Sequence, residues 1–365
     1  FTLAYLSPND ALPNRLPDGS LVSFDARSRI ALDPLNVNAN GLTMRGVEFD
    51  YKTPRYHNFN VTFQQELGGN QSLEVGYVGT RGNNLETFTA MNNVQQLLVP
   101  GTNPQPFVAW PDFARNSILV RTVGISRYNS LQTKFNRRFS RGLQFLLAYT
   151  LSSAKTNAGD SLSGGEVGGF RAQDVPGWGI GPDLGYAAFH TKHSLVLSGN
   201  YDIPGKGPIL GGWRANWVFS AYSGQPQTIP CARATGAGTG CYALVTGDPY
   251  LDNPTVEQYY NPAAFTTPDP VRTNGQTDFS PLGGPRTQVT GPSMKQLDMG
   301  FAKQFRVWAD RRVEIRAEIF NVTNTPAFQL PVSSSYNYED TRNFAQITAM
   351  RNKPRVVQLG MKFYW

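Results

Sequence analysis

R-V-V-Q-L-G-M-K-F-Y-W, residues 355–365, closes the sequence, and the alternation within it decides how the rest is read. Val357, Leu359, Met361, Phe363 and Trp365 share one parity; Val356, Gln358, Gly360, Lys362 and Tyr364 share the other. Successive side chains of a strand point to opposite faces, so the pattern predicts a strand with one apolar and one mixed face. A free chain end is usually frayed and polar. This one needs a cover for its apolar face, which is either a protein core or lipid.

The same alternation recurs upstream in four pairs of segments, each joined by a tight turn. The first pair covers 56–67 and 71–80 about Gly68-Gly69-Asn70, with Phe59, Val61, Phe63, Leu73, Val75 and Tyr77 on its apolar face. The second covers 127–139 and 143–152 about Ser140-Arg141-Gly142; Phe135, Phe139, Phe145 and Leu147 stand against Gln132, Lys134, Asn136 and Arg138. The third covers 192–203 and 213–222. The fourth covers 294–305 and 312–322, where Val313, Ile315, Ala317 and Ile319 oppose Arg312, Glu314, Arg316 and Glu318. With the terminal strand this makes nine strands of about 10–12 residues. Globular strands average about 5–6, whereas tilted transmembrane strands need roughly 9–11.

The connections sort by end. Turns within pairs are short, while the segments between pairs, 81–126, 153–191, 223–293 and 323–343, are long. Short turns on one side and long loops on the other are the pattern of outer-membrane barrels, with the long loops extracellular. The expected fold is therefore all-β: the C-terminal portion (55–365) of an antiparallel transmembrane β-barrel, preceded by a loop-rich segment, 1–54. On this reading Lys134, Arg138, Arg312, Glu314, Arg316 and Glu318 line a hydrated lumen, because each charge facing lipid would cost about 2–4 kcal/mol near the midplane. Phe139, Trp213, Phe305 and Trp365 all fall at the short-turn end, the expected place for an interfacial aromatic girdle.

Composition narrows the classes. No apolar run approaches the roughly 18 residues of a membrane helix, but alternating strands hide from any hydropathy window. The net charge is +7, yet the 33 Lys and Arg are scattered, no basic helix forms and no nucleic-acid partner is expected. The two cysteines, Cys231 and Cys241, read as a loop-closing disulfide in an oxidising compartment. The rival, a redox or metal pair, is short of ligands, and no cofactor or metal is expected. The start at Phe1, without Met or an apolar leader, suggests a processed chain or a fragment.

Several motifs have a bland reading. Gly159-Asp160-Ser161-Leu162-Ser163 spells the block that opens one class of lipases, but none of His57, His190 and His193 follows an Asp at the spacing of that class. Gly-Asp-Ser in a glycine-rich loop is ordinary turn chemistry, so no enzyme is expected. His190 and His193 lack a third ligand nearby. Trp110, Trp178, Tyr259 and Tyr260 either grip a ligand or pack the loops together, and the sequence leaves both open.

Gln358, Gly360, Phe363 and Trp365 stand where the terminal signal of bacterial outer-membrane barrels has its polar, glycine and hydrophobic positions, so the chain end resembles an address read by the barrel-assembly machinery. N-F-N-V-T-F-Q-Q-E-L with L-E-V-G-Y-V-G-T-R-G (58–82), Y-N-S-L-Q-T-K-F-N-R-R-F-S-R-G-L-Q-F-L-L-A-Y-T (128–150), N-P-A-A-F (261–265) and A-E-I-F-N-V-T-N-T-P-A-F (317–328) resemble the barrel of Oar-like TonB-dependent receptors. That resemblance implies a 22-stranded barrel with an N-terminal plug and a TonB-contacting box, neither visible here. It implies energy-coupled passage of an unidentified extracellular ligand across the bacterial outer membrane, with outer-membrane lipid and lipopolysaccharide as surroundings and the C-terminus periplasmic. The rivals are a structural or adhesive barrel without transport, and an outer-membrane hydrolase built on Ser161.

Overall fold

In the computed structural model, residues 44–92, 103, 105–111, 113–114, 117–158, 180–232, 242–267, 286–308 and 311–365 are described. Nine long strands follow one another: β1 Arg55–Gly68, β2 Gln71–Ala90, β3 Ile118–Ser140, β4 Leu143–Thr156, β5 His193–Ile203, β6 Trp213–Tyr222, β7 Met294–Trp308, β8 Arg311–Phe320 and β9 Val356–Tyr364. Each pairs antiparallel with the next, so the sheet is a simple meander from β1 to β9. Two short segments are added to it. Gly185–Tyr186 pairs with the end of β4, and Arg45–Val47 lies parallel to Ile118–Val120.

The turns follow from local chemistry. Ser140 faces Leu143 across Arg141 (φ 52°) and Gly142 (φ 79°), both left-handed, a two-residue turn whose twist matches the strands. Gly68, Gly69 and Asn70 are left-handed at the first turn. Between β5 and β6 the expected tight turn contains a helical turn, Gly207–Leu210. At Gly199 a Cβ would sit 2.4 Å from the Trp217 ring, so glycine is what lets that ring approach β5.

Four expected ranges are corrected. β2 runs on to Ala90 and β3 begins at Ile118, so the first long connection is 91–117 rather than 81–126. The polar look of this stretch misled: Thr87 and Thr89 are buried, and their hydroxyls donate to the carbonyls of Arg121 and Leu119. The second long connection starts after Thr156 rather than at 153, and the fourth spans 321–355 rather than 323–343. Within 1–54, Arg45–Val47 is a strand rather than loop; residues 1–43 lie outside the described residues.

The sheet does not close on itself. β1 and β9 are its two edges, and every residue of both is exposed. The core sits among the loops: Ile229, Tyr260, Phe265 and Val289 of 223–293 pack against Tyr338 and Phe344 of 321–355.

Candidate functional site: a polar wall, an apolar outer face and a loop cap

Cross-strand register sorts the side chains into two unlike faces. One row runs Leu73–Phe135–Leu147–Leu197–Phe219–Leu297, each residue directly opposite the next. The row nearer the short turns runs Leu143–Tyr201–Ala215–Phe301–Ala317–Leu359. Such rows form a continuous apolar outer surface. The alternate positions carry Ser198, Val218 and Asp298 in one row, and Arg214, Ala302 and Arg316 in another.

All six expected lumen residues fall on this second, polar face. Lys134 lies opposite Glu74 and Ala148. Arg138 reaches Glu66 at 3.3 Å. On β8 the charges lock together: Arg316 Nη2 donates to Glu314 Oε1 at 2.6 Å, and Arg316 Nη1 lies 3.5 Å from Glu318 Oε1. Glu314 Oε2 also accepts from Gln304 Nε2 at 2.9 Å, so this largely buried carboxylate is held from several sides. Arg312 stands opposite Arg306 and lies over the Tyr364 ring at 5.9 Å. The sequence reading missed the Arg214–Asp202 pair on the same wall, at 2.7 Å. The two residues are register partners flanking one turn, so pairing the hairpin residue by residue finds them.

At the short-turn end, Trp213 and Phe305 are joined by a residue that sequence reasoning passed over. Lys303 is buried on the outer face, with its ammonium 5.1 Å from the Trp213 ring and 4.8 Å from the Phe305 ring. Its Nζ donates to the Ile209 carbonyl, which also accepts from Trp213 Nε1 at 3.1 Å. The helical turn thus supplies the acceptor that lets a cation occupy an apolar face. Phe139 stands apart beside its own turn. Trp365 stacks near Phe363, centroids 6.2 Å apart, and is 91% exposed. Of the terminal pattern, Gln358 and Gly360 oppose Glu318 and Arg316 on the polar face, while Phe363 opposes Val313 on the apolar one.

At the long-loop end, a hydrogen-bonded relay ties two loops together. The Tyr260 hydroxyl donates to Gln227 Oε1 at 2.5 Å. Gln227 Nε2 donates to the Tyr336 hydroxyl at 2.5 Å and the Pro331 carbonyl at 3.2 Å. Burial pushes the Tyr336 hydroxyl up to about 12 and Tyr260 higher still, so both stay protonated donors. Tyr259 and Tyr260 therefore pack the loops; Trp110 is exposed and Trp178 lies outside the described residues. The two resemblance motifs in this region have local work to do. Asn261 caps the turn Pro262–Ala264. Asn321, left-handed and buried, donates to the carbonyls of Thr325 and Lys353 where β8 ends.

His190 is stacked on Tyr186, centroids 4.5 Å apart, and Nδ1 accepts from Ala154 N at 3.4 Å. Burial, then the charges of Lys192 and Lys155, hold its pKa below the usual histidine range. His193 instead bonds the Tyr149 hydroxyl at 2.8 Å. Among the described residues no His, Cys, Asp and Glu cluster could hold a metal. Ser161 and Cys241 lie outside the described residues; Cys231 is disulfide-bonded.

A long meander with an apolar outer face and a charged inner face defines a membrane-spanning β-barrel wall. A family described as outer membrane beta barrel domain matches residues 6–358, and the chain belongs to that family. This places it in the bacterial outer membrane. Among solved structures it is similar to the outer membrane transporter YddB from Escherichia coli, at 13% identity over 90% of this chain and 35% of that one, with a TM-score of 0.47. It is also similar to BauA, the ferric preacinetobactin receptor from Acinetobacter baumannii, at 13% identity, 84% and 29% coverage and a TM-score of 0.41. For the ferric citrate transporter FecA in the unliganded form the values are 13%, 85%, 31% and 0.39. The chain spans about a third of the length of these structures. No curated protein matches it.

Proposed function

We propose that the chain is part of the barrel of an Oar-like TonB-dependent receptor, through whose lumen an unidentified ligand crosses the outer membrane. The carrying observation is the polar wall spread across nine strands with both edges unpaired. Open edges are not tolerated in lipid, so this wall is one arc of a larger ring. A hydrated wall of both charge signs suits solute passage and does not select a charge. The long loops are extracellular on this reading and the short turns periplasmic, with Phe139, Trp213, Phe305 and Trp365 as the periplasmic girdle. TonB would engage a part of the receptor other than this arc. No catalytic step is assigned.

The test is the intact mass of the native protein taken from washed outer membranes, with crosslinking to TonB in the same cells. A mass far above 40.2 kDa together with a TonB crosslink supports the receptor. A mass near that value without a crosslink gives the receptor up in favour of a structural or adhesive barrel.

Two further expectations belong to this reading. Removing Phe363–Trp365 should abolish outer-membrane assembly, seen as loss of the heat-modifiable band; normal insertion would count against the terminal residues as an address. Cys231 and Cys241 should form one bridge, so alkylation without reductant should add no mass. Two alkylated thiols would refute it.

A further inference from the structure

At the loop end of β4 one backbone donor is satisfied by a side chain that accepts in only one protonation state. Gly185 and Tyr186 pair with Thr156 and Lys155. Hydrogen-bonded partners in an antiparallel pair exchange two bonds, but the next residues, Ala154 and Ala187, make only one. Ala187 N donates to the Ala154 carbonyl at 3.0 Å, while the Ala187 carbonyl accepts from His190 N at 2.8 Å. The Ala154 amide goes to His190 Nδ1 instead. A neutral imidazole has one accepting nitrogen; a protonated one has none. His190 is buried, so water does not take over that role.

The charged groups around this bond oppose a further positive charge. Lys155 on β4 places its ammonium 5.0 Å from the Tyr186 ring, on which the imidazole of His190 is stacked. Lys192, in the segment leading into β5, acts on His190 with the same sign as Lys155. From the third element packed here, buried Arg286 donates to the Tyr186 carbonyl at 3.1 Å. The carboxylate of the preceding turn, Asp183, accepts from the Tyr242 hydroxyl at 2.8 Å. Tyr186 also ties this corner to the loop cap. Its N–H donates to Thr287 Oγ1 at 3.0 Å, Thr287 N donates to Thr228 Oγ1 at 3.1 Å, and Ile229 and Val289 lie in the buried core of the cap.

We propose that His190 is an acid-sensitive latch, whose protonation frees Gly185–Tyr186 from the end of β4 and so loosens the loop cap at Arg286 and Thr287. Protonation sets an N–H against the Ala154 N–H and adds a third positive charge to those of Lys155 and Lys192. Its direction with pH is fixed. His190 titrates below the usual range while the latch is closed, and near about 6.5 once it opens. The closed arrangement is therefore at full stability above about pH 6.5 and loses it as pH falls from there towards the depressed value. One proton makes that loss at most about ten-fold in the opening equilibrium per pH unit. On the reading of the long loops as extracellular, the pH sensed is that of the medium outside the cell.

The complete protein in phosphatidylcholine vesicles is followed by hydrogen exchange between about pH 8 and about pH 5, the range in which histidine changes charge. Each rate is corrected for the intrinsic pH dependence of exchange. Exchange in 152–156, 185–190 and 286–293 should accelerate below about pH 6.5, by up to about ten-fold per pH unit, while β5 and β6 stay level. His190→Gln cannot take up the proton and should give a flat profile in all three segments, whatever its level. Lys192→Gln should give a smaller total acceleration, because His190 then titrates nearer its ordinary value. A flat profile in the native sequence, or acceleration that persists in His190→Gln, overturns the latch. Acceleration confined to 152–156 and 185–190, with 286–293 unchanged, overturns its link to the cap.

Discussion

Leu147→Arg is expected to destabilise the inserted barrel by up to about 2–4 kcal/mol, because it sets a charge within an apolar row of the outer face. Leu147 has Phe135 on one side and Leu197 on the other in register, and Leu151 and Leu143 lie along the same strand and face. Thr150→Arg is the control. It lies three residues away on the polar face, between Gln132 and Ser194, and should change stability by less than about 0.5 kcal/mol. The measurement is reversible denaturant unfolding of the complete protein in phospholipid vesicles. Equal costs at the two positions would mean that the faces do not separate lipid from water.

Tyr260→Ala should release the loop cap while leaving the sheet intact. Tyr260 is fully buried and packs edge-on against Tyr259, centroids 5.0 Å apart, and Tyr250, 6.2 Å apart. Truncating a large buried aromatic costs about 3–5 kcal/mol, and here it also strands the Gln227 amide. Hydrogen exchange should accelerate in both 223–267 and 321–355, with the strands unchanged. Tyr260→Phe keeps the ring and loses one hydrogen bond, so about 0.5–1.5 kcal/mol is expected. Unchanged protection in 321–355 after Tyr260→Ala would show that the two loops are held independently.

Much of the sheet was legible because lipid on one side and water on the other impose a strict two-residue period. That period located nine strands and assigned Arg312, Glu314, Arg316 and Glu318 to one face before any coordinates. It failed where polar side chains are buried for local reasons, as at Thr87 and Thr89, whose hydroxyls serve the neighbouring strand's backbone. It also failed for the cap. Gln227, Tyr260 and Tyr336 meet across loops far apart in sequence, and no periodicity links them. Lys303 was missed for a different reason. A lysine at an apolar position reads as an interruption until the Ile209 carbonyl above it is seen.

The relay through Gln227 also makes the two loops one cooperative unit. Gln227 and Tyr336 bond across 109 residues of sequence, and Tyr260 joins them from the same loop as Gln227. Opening either loop breaks the same buried bonds and exposes the same apolar cluster, so the opening free energy of one is shared by the other. A segment distant in sequence is thereby held at the stability of its partner rather than of its own local contacts.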